Sequence, residues 1–111
     1  MRRIAILLLI TAIAHPAHTQ TNPDLLAIRH LMDQQSADWN HGNLQAFATG
    51  YKNSPDILFV GHTVSRGYAA MLERYRKGYT TPAAMGVLTF TNFEPVLLDP
   101  HFATATGNFH L

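Results

Sequence analysis

A chain of 111 residues suits one domain, and with no cysteine it holds neither a disulfide nor a thiolate metal site. Its formal charge of +1 at pH 7 leaves no basic excess of the kind that marks a nucleic-acid footprint. Stability must come from packing, and a small domain buries a smaller share of its surface than a large one.

The first stretch is expected to be a secretory signal. Arg2 and Arg3 precede an apolar run from Ile4 to Ala14, with small residues beyond it. The run is too short to span a bilayer, which takes about 20 apolar residues. Cleavage is expected after Ala14 or after Thr19, giving a signal over residues 1–19 and a periplasmic or secreted domain over 20–111. No cysteine follows either position, so no lipid anchor is expected there. Without Arg2 and Arg3 the remainder carries six Lys and Arg against seven Asp and Glu. Neither nucleic acid nor, once the signal is removed, a membrane is expected as a partner.

Asn22 and Pro23 open the first helix, with Asp24 set against the helix dipole. Leu25, Ile28, Met32 and Trp39 share one face, and Arg29 and Ser36 fall in its middle. Leu26 and Leu31 lie off that face, which predicts cover on more than one side. The polar knot Asn40-His41-Gly42-Asn43 reads as a helix corner. Gly42 ends one helix in a left-handed conformation, and Asn43 caps the next, Leu44 to about Thr49.

Ser54, Pro55 and Asp56 predict a turn before a short apolar strand, Ile57–Val60. After Gly61, His62–Arg66 is a second short strand or an extended link. A third helix follows Gly67 and runs to about Lys77. Tyr68, Met71, Leu72 and Tyr75 form its buried face, with Glu73 and Lys77 paired on the other. Tyr79–Ala84 reads as a loop. From Met85 the period is two, which predicts a long strand in which Val87, Thr89, Thr91 and Phe93 alternate with Leu88, Phe90, Asn92 and Glu94. Pro95 marks an edge or a bulge in it. Asp99 and Pro100 make a turn, and a second long strand runs on to Leu111. Helices grouped before an antiparallel sheet give an α+β class. Two long strands are a thin cover for three helices, so one or two further strands are expected to be missing.

At this point a family likeness is carried by particular residues: "WNHGNLQAF" with Tyr51 just after it, "SRGY" before the third helix, and "YTTPAAMGVLTF" into the long strand. This ordered set resembles the SnoaL-like branch of the nuclear transport factor 2-like superfamily. The resemblance implies a cystatin-like cone, in which a curved antiparallel sheet wraps around helices and a pocket lies at the open end. It also implies homodimers paired through the sheet. Some members are isomerases, cyclases or dehydratases that use a pocket tyrosine or histidine with a carboxylate and no cofactor; others only bind. Asn43 stands where the family usually has Asp. The family's last strands, which often carry an Asp-His pair, have no counterpart here.

The candidate pocket residues are Arg29, Met32, Ser36, Trp39, Tyr51, Phe59, His62, Tyr68, Tyr75 and His110. Arg29 and Ser36 stand out as polar groups on an apolar helix face, where each must be paired or face a cavity. Asp38 and Asp56 read as a solvated and a turn-capping carboxylate, so no catalytic base is evident. Histidines 30, 41, 62, 101 and 110 show no ligand spacing, and neither metal nor cofactor is expected. The expected ligand is a small apolar or amphipathic molecule. The expected activity is binding, extended in the catalytic reading to cofactor-free proton transfer. The alternative is a non-catalytic dimeric association module.

Overall fold

The computed structural model describes residues 21–111; the expected export signal lies outside the described residues. Helix α1 spans Pro23–Asn40, and the Asn22 side chain caps it by accepting from the Asp24 N–H at 2.9 Å. Its inward face carries Leu25, Ile28, Met32, Gln35, Ser36 and Trp39. Leu26 and Leu31 are 52% and 43% exposed, so α1 is covered on one side, not on several as their position off the main face had indicated. Single exposed leucines are ordinary on a small domain.

The corner after α1 is built by close approach as much as by capping. Gly42 sits at φ +71°, and a Cβ there would lie 2.6 Å from the Pro82 Cβ. Any other residue would meet both backbone strain and that proline. Asn43 then caps helix α2, Leu44–Ala48, by accepting from the Ala46 N–H at 3.0 Å. Gly50, just beyond α2, lies against the Gln35 amide, which donates to the Phe47 carbonyl at 3.2 Å.

Strands β1 (Leu58–Val60) and β2 (Val64–Arg66) form a small antiparallel hairpin. Each is shorter than expected: β1 starts at Leu58 rather than Ile57, and β2 starts at Val64 because residues 61–63 form the turn. Helix α3, Tyr68–Gly78, buries Met71 and Leu72 as its pattern requires. Its Glu73–Lys77 pair, 3.6 Å apart, is exposed and contributes little.

Two corrections concern the next segment. Tyr79–Ala84 is not all loop: Pro82–Met85 forms a one-turn helix, α4, capped by the Thr81 side chain with proline at its start. The long strand therefore begins later than its period-two pattern. β3 spans Thr89–Leu97, after Gly86 at φ +69° has turned the chain out of α4.

β3 pairs antiparallel with β4, Ala103–His110, and the register slips between Thr91 and Glu94. Asn92, at φ 52°, marks this bulge. The strict alternation read through Phe93 and Glu94 fails here. Leu88 and Phe90 are the more buried residues before the bulge; Phe93, Pro95 and Leu97 are the more buried after it. One inserted residue reverses the phase and bends the strand. Asp99 closes the hairpin turn by accepting from the His101 and Phe102 N–H groups at 2.6 and 2.7 Å. The class is α+β, with α1 packed on β3 and the sheet bent at the bulge.

The α1 end and the β3 start are joined by side chain to backbone bonds. The Asn40 amide donates to the Leu88 carbonyl at 3.0 Å and accepts from the Leu88 N–H at 2.7 Å. Ser36 donates to the same carbonyl at 3.0 Å, and the Trp39 indole donates to Met85 at 3.0 Å. Asn40→Ala leaves a part-buried N–H without its partner and should cost about 1–3 kcal/mol in urea unfolding. Asn40→Asp should be worse at neutral pH, because a carboxylate would face the Leu88 carbonyl. Its deficit should shrink as acid protonates that carboxylate and restores a donor; a deficit independent of pH would contradict this account.

Candidate functional site

The aromatic residues of four segments converge on one space. Trp39 from α1 meets Phe47 from α2 edge to face at 4.9 Å and Tyr79, just past α3, at 4.8 Å. Tyr75 stands at the centre, 5.5 Å from Phe47, 5.6 Å from Phe59 and 6.2 Å from Tyr79, the last stacked. Such ring pairs contribute beyond their buried area. Tyr51 and Tyr75 bridge two core clusters, one around Trp39, Phe47, Met85 and Leu88 and one around Ala48, Met71 and Leu72.

These rings are the floor of a cavity of about 820 Å³ that opens to solvent. Leu88, Phe90, Phe109 and Leu111 form the sheet wall; Val60, Gly61 and His62 of the β1–β2 hairpin form the opposite lip. The lining is mainly apolar with a few polar groups, the usual composition of a small-molecule site. Those polar groups are the Tyr51, Tyr75 and Tyr79 hydroxyls, His62 and Arg74.

Burial, followed by the neighbouring Tyr51 and Tyr79 hydroxyls, pushes the Tyr75 phenol well above its ordinary value; Arg74 opposes this only in part. Tyr75 therefore stays neutral at physiological pH and serves as a hydrogen-bonding group, not as a base. No Asp or Glu lines the cavity among the described residues. His62 is the histidine among the lining residues. No cluster of acidic residues and histidines suited to a metal ion occurs among the described residues.

No protein-family model matches the chain, and no curated protein does. Among solved structures, an NTF-2-like protein of unknown function from Shewanella oneidensis MR-1 superposes with a TM-score of 0.74 at 26% identity. The match covers 78% of this chain and 72% of that one. The chain belongs to the nuclear transport factor 2-like superfamily.

In this NTF-2-like domain the structure brings Trp39, Tyr51, Phe59, His62 and Tyr75 together around the cavity. It places Arg29, Met32, Ser36, Tyr68 and His110 elsewhere. The Arg29 guanidinium donates to the Phe93 carbonyl at 3.1 Å and lies over the Phe93 ring at 5.8 Å. Ser36 is held by the Leu88 carbonyl. Both polar groups are thus satisfied by the β3 backbone, not by a cavity. Met32 packs on the inward face of α1 outside the cavity lining, and Tyr68 packs against the Ala48–Met71–Leu72 cluster. His110 pairs with Thr89, on the sheet face opposite to Phe90 and Phe109. Tyr79, grouped from sequence with Tyr51, Tyr68 and Tyr75 as a polar candidate, also lines the cavity, and Phe47, Arg74, Leu88, Phe90 and Phe109 do so without having been singled out from sequence. The apolar spacing of α2 was the available signal for Phe47.

The Tyr75 shift has a consequence for stability. Its folded value is raised, so its contribution is fully present below the unfolded tyrosine value and is lost as pH rises beyond it. Urea midpoints should fall between about pH 9 and about pH 11. Tyr75→Phe should flatten part of that fall, and an unchanged alkaline slope would show that Tyr75 ionises as freely folded as unfolded.

Proposed function

We propose that the chain is a small-molecule-binding domain of the SnoaL-like type, exported to the periplasm or medium, which takes an apolar or amphipathic ring compound. The observation that carries this reading is the open cavity of about 820 Å³, floored by aromatic rings and lined by three tyrosines but, among the described residues, by no Asp or Glu. Acid–base catalysis in such a cone needs a base placed at the substrate. The catalytic reading pairs a pocket tyrosine or histidine with a carboxylate; Tyr75 and His62 line the cavity, but no Asp or Glu side chain among the described residues does so to complete the pair. Binding is therefore favoured over turnover.

The uncharged dye N-phenyl-1-naphthylamine tests this directly. It should gain fluorescence on the folded protein and raise the melting temperature. At about ten times its Kd the stabilisation is about 1.4 kcal/mol, or roughly 5–10 °C for a domain of this size. No fluorescence gain and no shift would sink the binding reading.

One observation favours association as a second role. Val96, Leu98 and Phe102, around the β3–β4 turn, are 54%, 64% and 68% exposed. A homodimer joined through this sheet would cover them. Sedimentation equilibrium over a dilution series should then show a dimer that Val96→Lys dissociates while dye binding persists. A monomer at every concentration would remove this second reading.

A further inference from the structure

The cavity carries one full positive charge. Arg74 lies on the α3 turn beside Tyr75, with its guanidinium over the Phe59 ring at 5.5 Å. Nη1 donates to the Thr63 carbonyl at 3.3 Å and to the Thr63 hydroxyl at 3.1 Å. A guanidinium has five N–H donors in a planar fork. Among the described residues, the Nη2 and Nε donors of Arg74 have no protein acceptor. Nor does a carboxylate come within ion-pair distance of it: the ion pair found among the described residues is Glu73–Lys77, on the outer face of α3. A Cβ at Gly61 would lie 3.3 Å from Nη2, so the bare glycine backbone keeps the side of the fork beside it free of any side chain.

The arrangement is asymmetric. Nη1 is tied to the hairpin tip, the guanidinium carbon lies 5.5 Å from the Phe59 ring centroid, and both Arg74 and His62 line the cavity. A cation–π contact of this kind helps to hold an arginine in place, and donors without a protein acceptor are available for bidentate recognition of a planar anion. Among the described residues no Asp or Glu lines the cavity to pair with that charge. We infer that the ligand is an anionic aromatic amphiphile, whose carboxylate or sulfonate pairs with Arg74 while its rings occupy the floor formed by Trp39, Phe47 and Tyr75. This inference rests on the binding reading and adds the charge class of the ligand to it.

The test compares two probes with the same ring system. 1-Anilinonaphthalene-8-sulfonate carries a sulfonate, and N-phenyl-1-naphthylamine does not. Fluorescence titration of the wild-type chain and of Arg74→Gln gives the Kd values. Arg74→Gln should weaken the anionic dye about tenfold, the size expected of a charge-assisted contact at a partly wet lip. It should leave the neutral dye within about twofold, since its rings touch other residues. Raising salt from about 0.05 M to about 0.5 M should weaken the anionic dye alone. Arg74→Lys should recover part of the loss, but not the bidentate share.

If Arg74→Gln weakens both dyes equally, Arg74 is only the tether of the hairpin tip and the inference fails. If it weakens neither, the anion is not held there and the inference fails again. In both cases neutral-dye binding by the wild-type chain keeps the cavity reading intact. If neither dye binds the wild-type chain, the cavity reading falls and takes this inference with it.

Discussion

A single asparagine joins the helical half of this domain to its sheet. Asn40 bonds both the N–H and the C=O of Leu88, as a neighbouring strand would, and Ser36 fills the second lone pair of that carbonyl. Trp39, one residue earlier, reaches Met85 with its indole N–H. The C-terminal turns of α1 therefore set where β3 starts and at what angle it leaves. The position of Leu88 and Phe90 in the cavity wall follows from that junction, as does the space in front of them. It also explains the dense polar knot at Asn40–Asn43: one residue bonds the strand, one turns the helix, and one caps the next. His41 adds a bond of 2.7 Å to the Ala37 carbonyl, which requires the Nδ1 proton.

The same corner also settles the far side of the domain. Gly42 is pressed against Pro82, so α4 is docked on the corner by contact with bare backbone. Pro82 begins α4, and Met85 at its end buries beside Trp39 and Phe47. Sequence-distant segments thus meet through small and polar residues, while the aromatic residues are left to face inward. That division is why the cavity is lined by rings although its frame is held by amides and carbonyls.

Much of this was legible in the sequence because much of it is local. Caps at Asn22 and Asn43, the left-handed Gly42 and the buried face of α3 depend on neighbours within a few residues. What escaped depends on the fold. The bulge at Asn92 reverses the phase of β3, and no period-two reading detects one inserted residue. Arg29 and Ser36 were rightly odd on an apolar face, but their partners are carbonyls more than fifty residues away, at a register that only the packed sheet defines. Arg74 gave no signal in sequence because its setting exists only once the β1–β2 hairpin folds back over α3. The gathering of Trp39, Tyr51, Phe59 and Tyr75 was more accessible, since Trp39, Phe59 and Tyr75 fall on the inward side of their own elements and Tyr51 closely follows α2.

Trp39 is the chain's one tryptophan, and it is only 2% exposed at the bottom of the cavity. All indole emission from this protein therefore originates at a single point, in contact with Phe47 and Tyr79. A molecule entering the cavity meets that emitter within a few ångströms, close enough to quench it or to receive its energy. Unfolding moves the same indole into water and shifts its emission to the red. The protein thus carries an intrinsic optical reporter, without any added label, in which occupancy changes intensity and denaturation changes colour.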